Sequence, residues 1–303
     1  MPSKHSIFVA RSYLRNPRAV TCLCLLCSIL CVLCGCTVQP RPKETATKSQ
    51  LYTVTQAALP AAQPAALQSS VPEPQTQSPS VTPDPNEELL RPQVLMYHAV
   101  SDTPWSSLSS LFVRPAELRE QIDALLAQGY TFCFADEYAD SAQKSVILTF
   151  DDGYEDNYTE LLPILLEKKV VATIFIISDM VDTEHYLTTE QILQMDRSGV
   201  IRFGCHTASH PYLTELSAQA QRTEMQSCKA YLEELLQKPC RSIAYPYGDY
   251  NASVYACAAD LFDFGYSTND PRSFPQHSNS RCAIPRHFVC RGMGTNNLLA
   301  KLD

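Results

Sequence analysis

From residue 93 to the end, short apolar runs alternate with longer stretches in which apolar residues recur every three or four positions. Runs at 94–97, 130–134, 145–150 and 170–177 have strand length. The last is continuous in β-branched and apolar residues, the pattern of a strand covered on both faces. Helical spacing predicts helices over 115–128, 157–168, 189–198 and 217–238, the last aligning Met225, Cys228, Leu232 and Leu235. Further strands are predicted at 200–205, 242–245, 262–266 and 283–289. Strand–helix alternation builds a parallel sheet, and this many units predict an α/β barrel or partial barrel.

The first 92 of the 303 residues follow neither period. Lys4, Arg11, Arg15 and Arg18 precede an apolar run over 19–33 that ends in Leu33-Cys34-Gly35-Cys36. A basic flank followed by a short hydrophobic stretch is an export signal. Its ending resembles a lipoprotein signal, with Cys36 as the lipid-bearing residue and Cys34 as an atypical neighbour. The alternative is an uncleaved membrane anchor. Either reading places the remainder outside the cytoplasm. Residues 37–92 carry ten of the 21 prolines and no glycine among Gln, Ser, Thr and Ala, a composition that cannot bury a core. They are expected to form a disordered tether, leaving 93–303 as a single catalytic domain. A net charge of -8 argues against a nucleic-acid partner. Seven cysteines lie beyond Cys36, with no CxxC pair among them; export permits one or two bridges of unspecified connectivity.

Three motifs follow predicted strand ends, where α/β barrels assemble their sites. They are Thr149-Phe150-Asp151-Asp152-Gly153, His206-Thr207-Ala208-Ser209-His210 and Tyr245-Pro246-Tyr247-Gly248. Each is ordinary alone. Asp-Gly pairs form turns, an Asp before a helix caps it, and seven histidines can produce one pair by accident. At i, i+4 the two imidazoles are expected on one face of a helical turn, as metal-binding histidines often are.

In this order the motifs resemble those of the polysaccharide deacetylases, the carbohydrate esterase family 4 or NodB-homology domain. The resemblance covers residues 93–290, including the opening Leu95-Met96-Tyr97-His98. It implies a distorted (β/α)7 barrel. It also implies one divalent ion, zinc, on Asp152, His206 and His210, which lowers the pKa of water. Asp151 would be the general base, and the Tyr247 backbone N–H would stabilise the oxyanion. Thr207 and Ser209 are expected to fix the imidazole tautomers. Tyr245 and Tyr247 are expected to line the sugar groove, with barrel packing as the alternative.

Two departures from the family pattern stand out. Ala244 occupies the place of an arginine that orients the base, and Arg286 is the candidate replacement, with a surface ion pair as the alternative. The late L-x-H-D motif, whose histidine protonates the leaving amine, is absent. His98 and His287 are the candidates, and strand alternation sends Arg286 and His287 to opposite faces, which favours His98. The expected activity is removal of N-acetyl groups from a β-linked N-acetylglucosamine polymer, peptidoglycan or exopolysaccharide, by a membrane-tethered enzyme. An acetyl-xylan-type esterase and a non-catalytic carbohydrate-binding relative are the alternatives. A glycosidase using Asp151 and Asp152 is disfavoured, because its carboxyl groups must flank a bond roughly 5–9.5 Å apart.

Overall fold

A computed structural model of the chain describes residues 90–141, 143–268 and 280–302. The signal or anchor assigned to 1–36, with Cys36, and the tether as far as residue 89 lie outside the described residues. The elements are β1 (Gln93–Tyr97), β2 (Ala99–Val100), β3 (Phe112–Val113), α1 (Pro115–Ala127), β4 (Thr131–Phe132) and β5 (Ser145–Phe150). After these come α2 (Leu162–Lys168), β6 (Ala172–Ile176), α3 (Thr189–Arg197), β7 (Ile201–Cys205) and α4 (Ala218–Leu236). The last are β8 (Ser242–Ala244), α5 (Ala252–Leu261), β9 (Phe264–Tyr266), β10 (His287–Phe288) and α6 (Thr295–Leu299).

All pairings in the main sheet are parallel, in the order β10-β1-β5-β6-β7-β8-β9, with β4 on the early half of β5. The stretch before β10 joins the two edges. Ile284 bridges to Tyr266 of β9, and three residues later His287 pairs with Leu95 of β1. The result is the distorted seven-stranded barrel that the sequence predicts.

Two expected strands are shorter than their apolar runs, for identifiable reasons. The run at 283–289 pairs only at its ends because Pro285 has no N–H to donate. The run at 130–134 pairs only at Thr131 and Phe132, since β6 takes the same edge of β5 from Thr149 onward. The helix expected over 157–168 opens with a π-turn, Asn157–Leu161, before α2. All seven cysteines of the described region are free thiols, so the disulfides allowed by an export signal do not form among them.

Strand alternation divides the buried residues into two layers. Leu95, Tyr97, Leu148, Phe150, Ile174, Phe203, Ile243 and Tyr245 pack under the helices. Val94, Ile147, Phe175, Ala244, Phe264 and Tyr266 fill the barrel interior. The residues of inward parity continue upward as His98, Asp151, His206 and Arg286. Gly204 sits where the interior is tightest: a Cβ there would lie 2.5 Å from the Phe175 ring and 2.8 Å from Ser242 Oγ. Overpacking of this kind costs about 1–3 kcal/mol. Gly204→Ala is therefore expected to destabilise the domain by that amount in denaturant unfolding.

Candidate active site

Three loops at the C-terminal ends of β5, β7 and β8 build the site, and a fourth segment closes it from β10. After β5 the backbone takes two successive left-handed residues, Asp152 (φ 75°) and Gly153 (φ 77°). Glycine is favoured at the second, where φ is left-handed and a Cβ would push Ile176 Cδ1, 2.7 Å away, out of place. The Asp151 N–H is pinned to the Tyr97 carbonyl at 3.0 Å, so this turn begins from a fixed point beside β1.

The two carboxylates have different partners. Asp151 accepts a bidentate pair from Arg286, Nη1 to Oδ1 and Nη2 to Oδ2, both at 2.7 Å. Arg286 is 1% exposed, donates Nε–H to the Ser267 carbonyl and Nη1–H to Thr149 Oγ1, and lies over the Phe175 ring. Burial pushes the Asp151 carboxyl up, but Arg286 and then His206 outweigh it and hold it below the usual carboxylate range. The arginine thus reaches Asp151 from the residue just before β10, whereas Ala244 is a buried interior residue of β8.

Asp152 faces the two imidazoles. His206 Nε2 lies 3.4 Å and His210 Nε2 3.7 Å from Asp152 Oδ1, and one ligand atom from each residue lies within 4.8 Å of the other two. Metal–ligand bonds of about 2.0–2.2 Å in tetrahedral geometry put donors roughly 3.3–3.6 Å apart. The donor set suits a divalent ion, and both distances from Asp152 lie at or near that separation. Burial pushes Asp152 up, yet hydrogen bonding to His206 and three nearby imidazoles hold it well below the ordinary value. Burial and then His206 lower His210 to about 4, so its ring is neutral near pH 7. Burial works against protonation of His206 too, but Asp151 and Asp152 raise it on balance. Two anions make this spot favour positive charge, whether a proton or a metal ion.

The histidines do not share a helical turn as expected. Residues 206–210 form an irregular bend, with Thr207 (φ 67°) and His210 (φ 59°) left-handed. The bend is held by His206 N–H on the Ile176 carbonyl, His210 N–H on Thr207 Oγ1, and Ala208 N–H on the Glu224 carbonyl. Nor do Thr207 and Ser209 set the tautomers. His206 Nδ1 pairs with the Ala244 carbonyl at 2.8 Å, which leaves Nε2 free as the donor atom, while Ser209 bonds Glu224.

A cleft of about 520 Å³ lies over these groups. His98 lines it with Phe288 at ring edge, and burial lowers its pKa against the pull of Asp152 and Asp151. His287 instead lines a separate cavity with Gln93 and Arg281. Tyr247 lines the cleft and is 52% exposed. Tyr245 does not: it is fully buried, donates its hydroxyl to the Cys282 carbonyl at 2.7 Å and stacks on Tyr250. Its place as a sugar-groove residue is corrected to one of barrel packing, because it has the outward parity of β8.

Residues 138–268 match the family model described as polysaccharide deacetylase. That matched segment is of the polysaccharide deacetylase family. The chain is 33% identical over 172 residues to YxkH of Bacillus subtilis, covering 54% of this chain and 60% of that one. It is 23% identical over 189 residues to the poly-beta-1,6-N-acetyl-D-glucosamine N-deacetylase of Escherichia coli, covering 53% and 28%. The chain therefore spans 60% or less of these curated relatives. Among solved structures it is similar to Streptococcus pyogenes deacetylase PplD, with TM-score 0.64, 29% identity, and coverage of 71% of this chain and all of that one.

Sequence reasoning missed Asp156 and Asn157, which support the His98 segment of the deacetylase domain. Asn157 Nδ2 donates to the His98 carbonyl and to Asp156 Oδ1, and Asp156 Oδ1 also accepts the Val100 N–H. The other carboxyl oxygen, Asp156 Oδ2, is buried without a partner. Burial raises Asp156 to about 6, against the lowering effect of those hydrogen bonds. Its folded pKa lies above the ordinary value near 3.9, so folding takes up a proton between them. Stability should fall as pH rises from about 4 to 6 and then level off. Asp156→Asn is expected to remove that slope, read as melting temperature against pH. Arg286→Met leaves Asp151 buried without its partner and is expected to cost about 3–5 kcal/mol in unfolding free energy. Arg286→Lys should restore charge but not the two-point grip on Asp151, so turnover should stay low where stability partly recovers.

Proposed function

We propose that this protein is a zinc-dependent hydrolase that removes N-acetyl groups from a β-linked N-acetylglucosamine polymer. The observation that carries the reading is the division of labour between adjacent carboxylates: Asp152 faces the imidazoles, while Asp151 is held apart by Arg286. Each oxygen of Asp151 keeps a lone pair beyond its bond to arginine, so the residue can still accept a proton. Bound on Asp152, His206 and His210, a zinc ion would supply Lewis-acid polarisation and a more acidic water.

Asp151 takes the proton from the attacking water, and the Tyr247 N–H, in the turn over Pro246–Gly248, is suited to the developing oxyanion. The proton taken up by Asp151 passes to the amine as the C–N bond breaks, with His98, on the same cleft and neutral at rest, as the relay. Water and amide are consumed; acetate and a free amine result. The family's relatives that act on poly-N-acetylglucosamine support the choice of polymer. The basic, apolar N-terminus and the Pro-rich stretch after it support a position outside the cytoplasm, joined to the membrane by lipid on Cys36 or by an uncleaved anchor.

The test is acetate release from poly-N-acetylglucosamine, peptidoglycan and acetylated xylan, with zinc, cobalt or chelator present. Asp151→Asn should keep zinc and lose about 10²–10⁴-fold in turnover, the usual worth of a positioned base. His206→Ala should lose both metal and turnover. Binding of the polymer with no acetate released by the zinc-loaded protein would favour a carbohydrate-binding role instead, and release from xylan alone an O-deacetylase.

A further inference from the structure

The two imidazoles of the site are supported in different ways. Metal-binding histidines are usually oriented by a hydrogen bond at the ring nitrogen away from the ion. His206 has that support in the Ala244 carbonyl. Among the described residues the His210 ring makes no hydrogen bond; its polar contact is Asp152 Oδ1, on the ligand side. What holds it on the outside is aromatic. The Tyr247 ring meets His210 at 4.6 Å and 66°, and the Tyr212 ring backs Tyr247 face to face at 3.8 Å and 8°.

This column of rings is built, not accidental. Tyr247 sits at φ 60°, a left-handed conformation that costs a tyrosine free energy. Its turn is fixed by Gly248 N–H on the Tyr245 carbonyl at 2.8 Å, with Thr268 closed against Gly248. Tyr212 begins the turn through Leu213–Glu215, whose buried Leu213 gives its carbonyl to Gln221. Thr214 Oγ1 donates to Asp249 Oδ2 at 2.7 Å and ties the two loops together. Yet both tyrosines remain half in water, at 47% and 52% exposed, so neither is there to fill a core.

We propose that Tyr212, acting through Tyr247, is a positioning residue for the metal ligand His210: the stacked pair is an aromatic clamp that takes the place of a hydrogen bond. The inference rests on Asp152, His206 and His210 being the ligands. The clamp works by ring contact alone, so it needs an aromatic residue at 212 and no hydroxyl.

Zinc affinity by competition with a chromophoric chelator tests this on the full chain, alongside the absorption spectrum of the cobalt-loaded protein and melting of the metal-free form. Tyr212→Ala should weaken zinc binding roughly tenfold, at the low end for loss of a ligand's orienting partner. It should alter the cobalt bands while leaving metal-free melting within a few degrees. Tyr212→Phe should keep wild-type affinity and spectrum. Unchanged zinc affinity and cobalt spectrum in Tyr212→Ala, with only the KM for polymer raised, would make Tyr212 a sugar platform and overturn the clamp. Affinity lost equally in Tyr212→Phe would overturn it too, by tying the effect to the hydroxyl. A wild-type protein that binds no zinc would sink the metal reading first, an outcome distinct from the others.

Discussion

The buried pairing of Arg286 with Asp151 is the interaction on which the site and the barrel both depend. A guanidinium and a carboxylate taken out of water are expensive, and the cost is offset only when geometry is good and the remaining donors are satisfied. Here both carboxylate oxygens are gripped, and the arginine's other donors reach Ser267 and Thr149. The chain segment that brings Arg286 inward is the one that joins β9 to β1. Barrel closure and the grip on Asp151 therefore use the same segment: the sheet cannot close there without presenting a cation to Asp151. Conversely, Asp151 gives that cation a reason to remain buried.

Most of this was legible in the sequence because strand alternation has a rigid period. On β1, β5, β7 and β10 the residues of inward parity lead to His98, Asp151, His206 and Arg286, and the structure delivers all four to the same end of the barrel. The same rule explains the misplacement of Tyr245. Ala244 faces inward, so its neighbour Tyr245 must face the helices, and it packs there. The motif suggested a groove residue, whereas parity alone would have excluded it. The substitution of alanine for arginine at 244 was visible too, and the replacement lay in the seam-closing stretch before β10, at a position where the parity against His287 could be read directly.

What sequence could not supply lies where no period operates. The spacing of His206 and His210 matches a helical turn, yet two left-handed residues bend the chain instead. That bend depends on acceptors from β6 and α4, which are distant in the chain. Tyr212 carries no local signal at all; its role exists only because Thr214 and Asp249 tie two loops into register. Asn157 likewise reaches His98 only because the helix expected to begin at 157 opens as a π-turn. Turns of this kind are a frequent accommodation at functional sites, where one residue must aim differently from its helix.

Charge counting shows why these parts belong together. Asp151 and Asp152 contribute two negative charges and Arg286 one positive, leaving one net negative charge among neutral rings. In a low-dielectric pocket that charge is costly, and raised proton affinity at His206 is the protein's own means of reducing it. That proton brings the net charge to zero; a divalent ion in the proposed site would instead turn −1 into +1, which would suit a site where an oxyanion must form. Were the arginine absent, the ion would face two free carboxylates and the centre would end neutral. The net positive charge needed to stabilise an oxyanion would be lost, along with the distinction between ligand and base. In the proposed zinc site Arg286 would thus keep Asp151 from becoming a fourth ligand as much as it orients it.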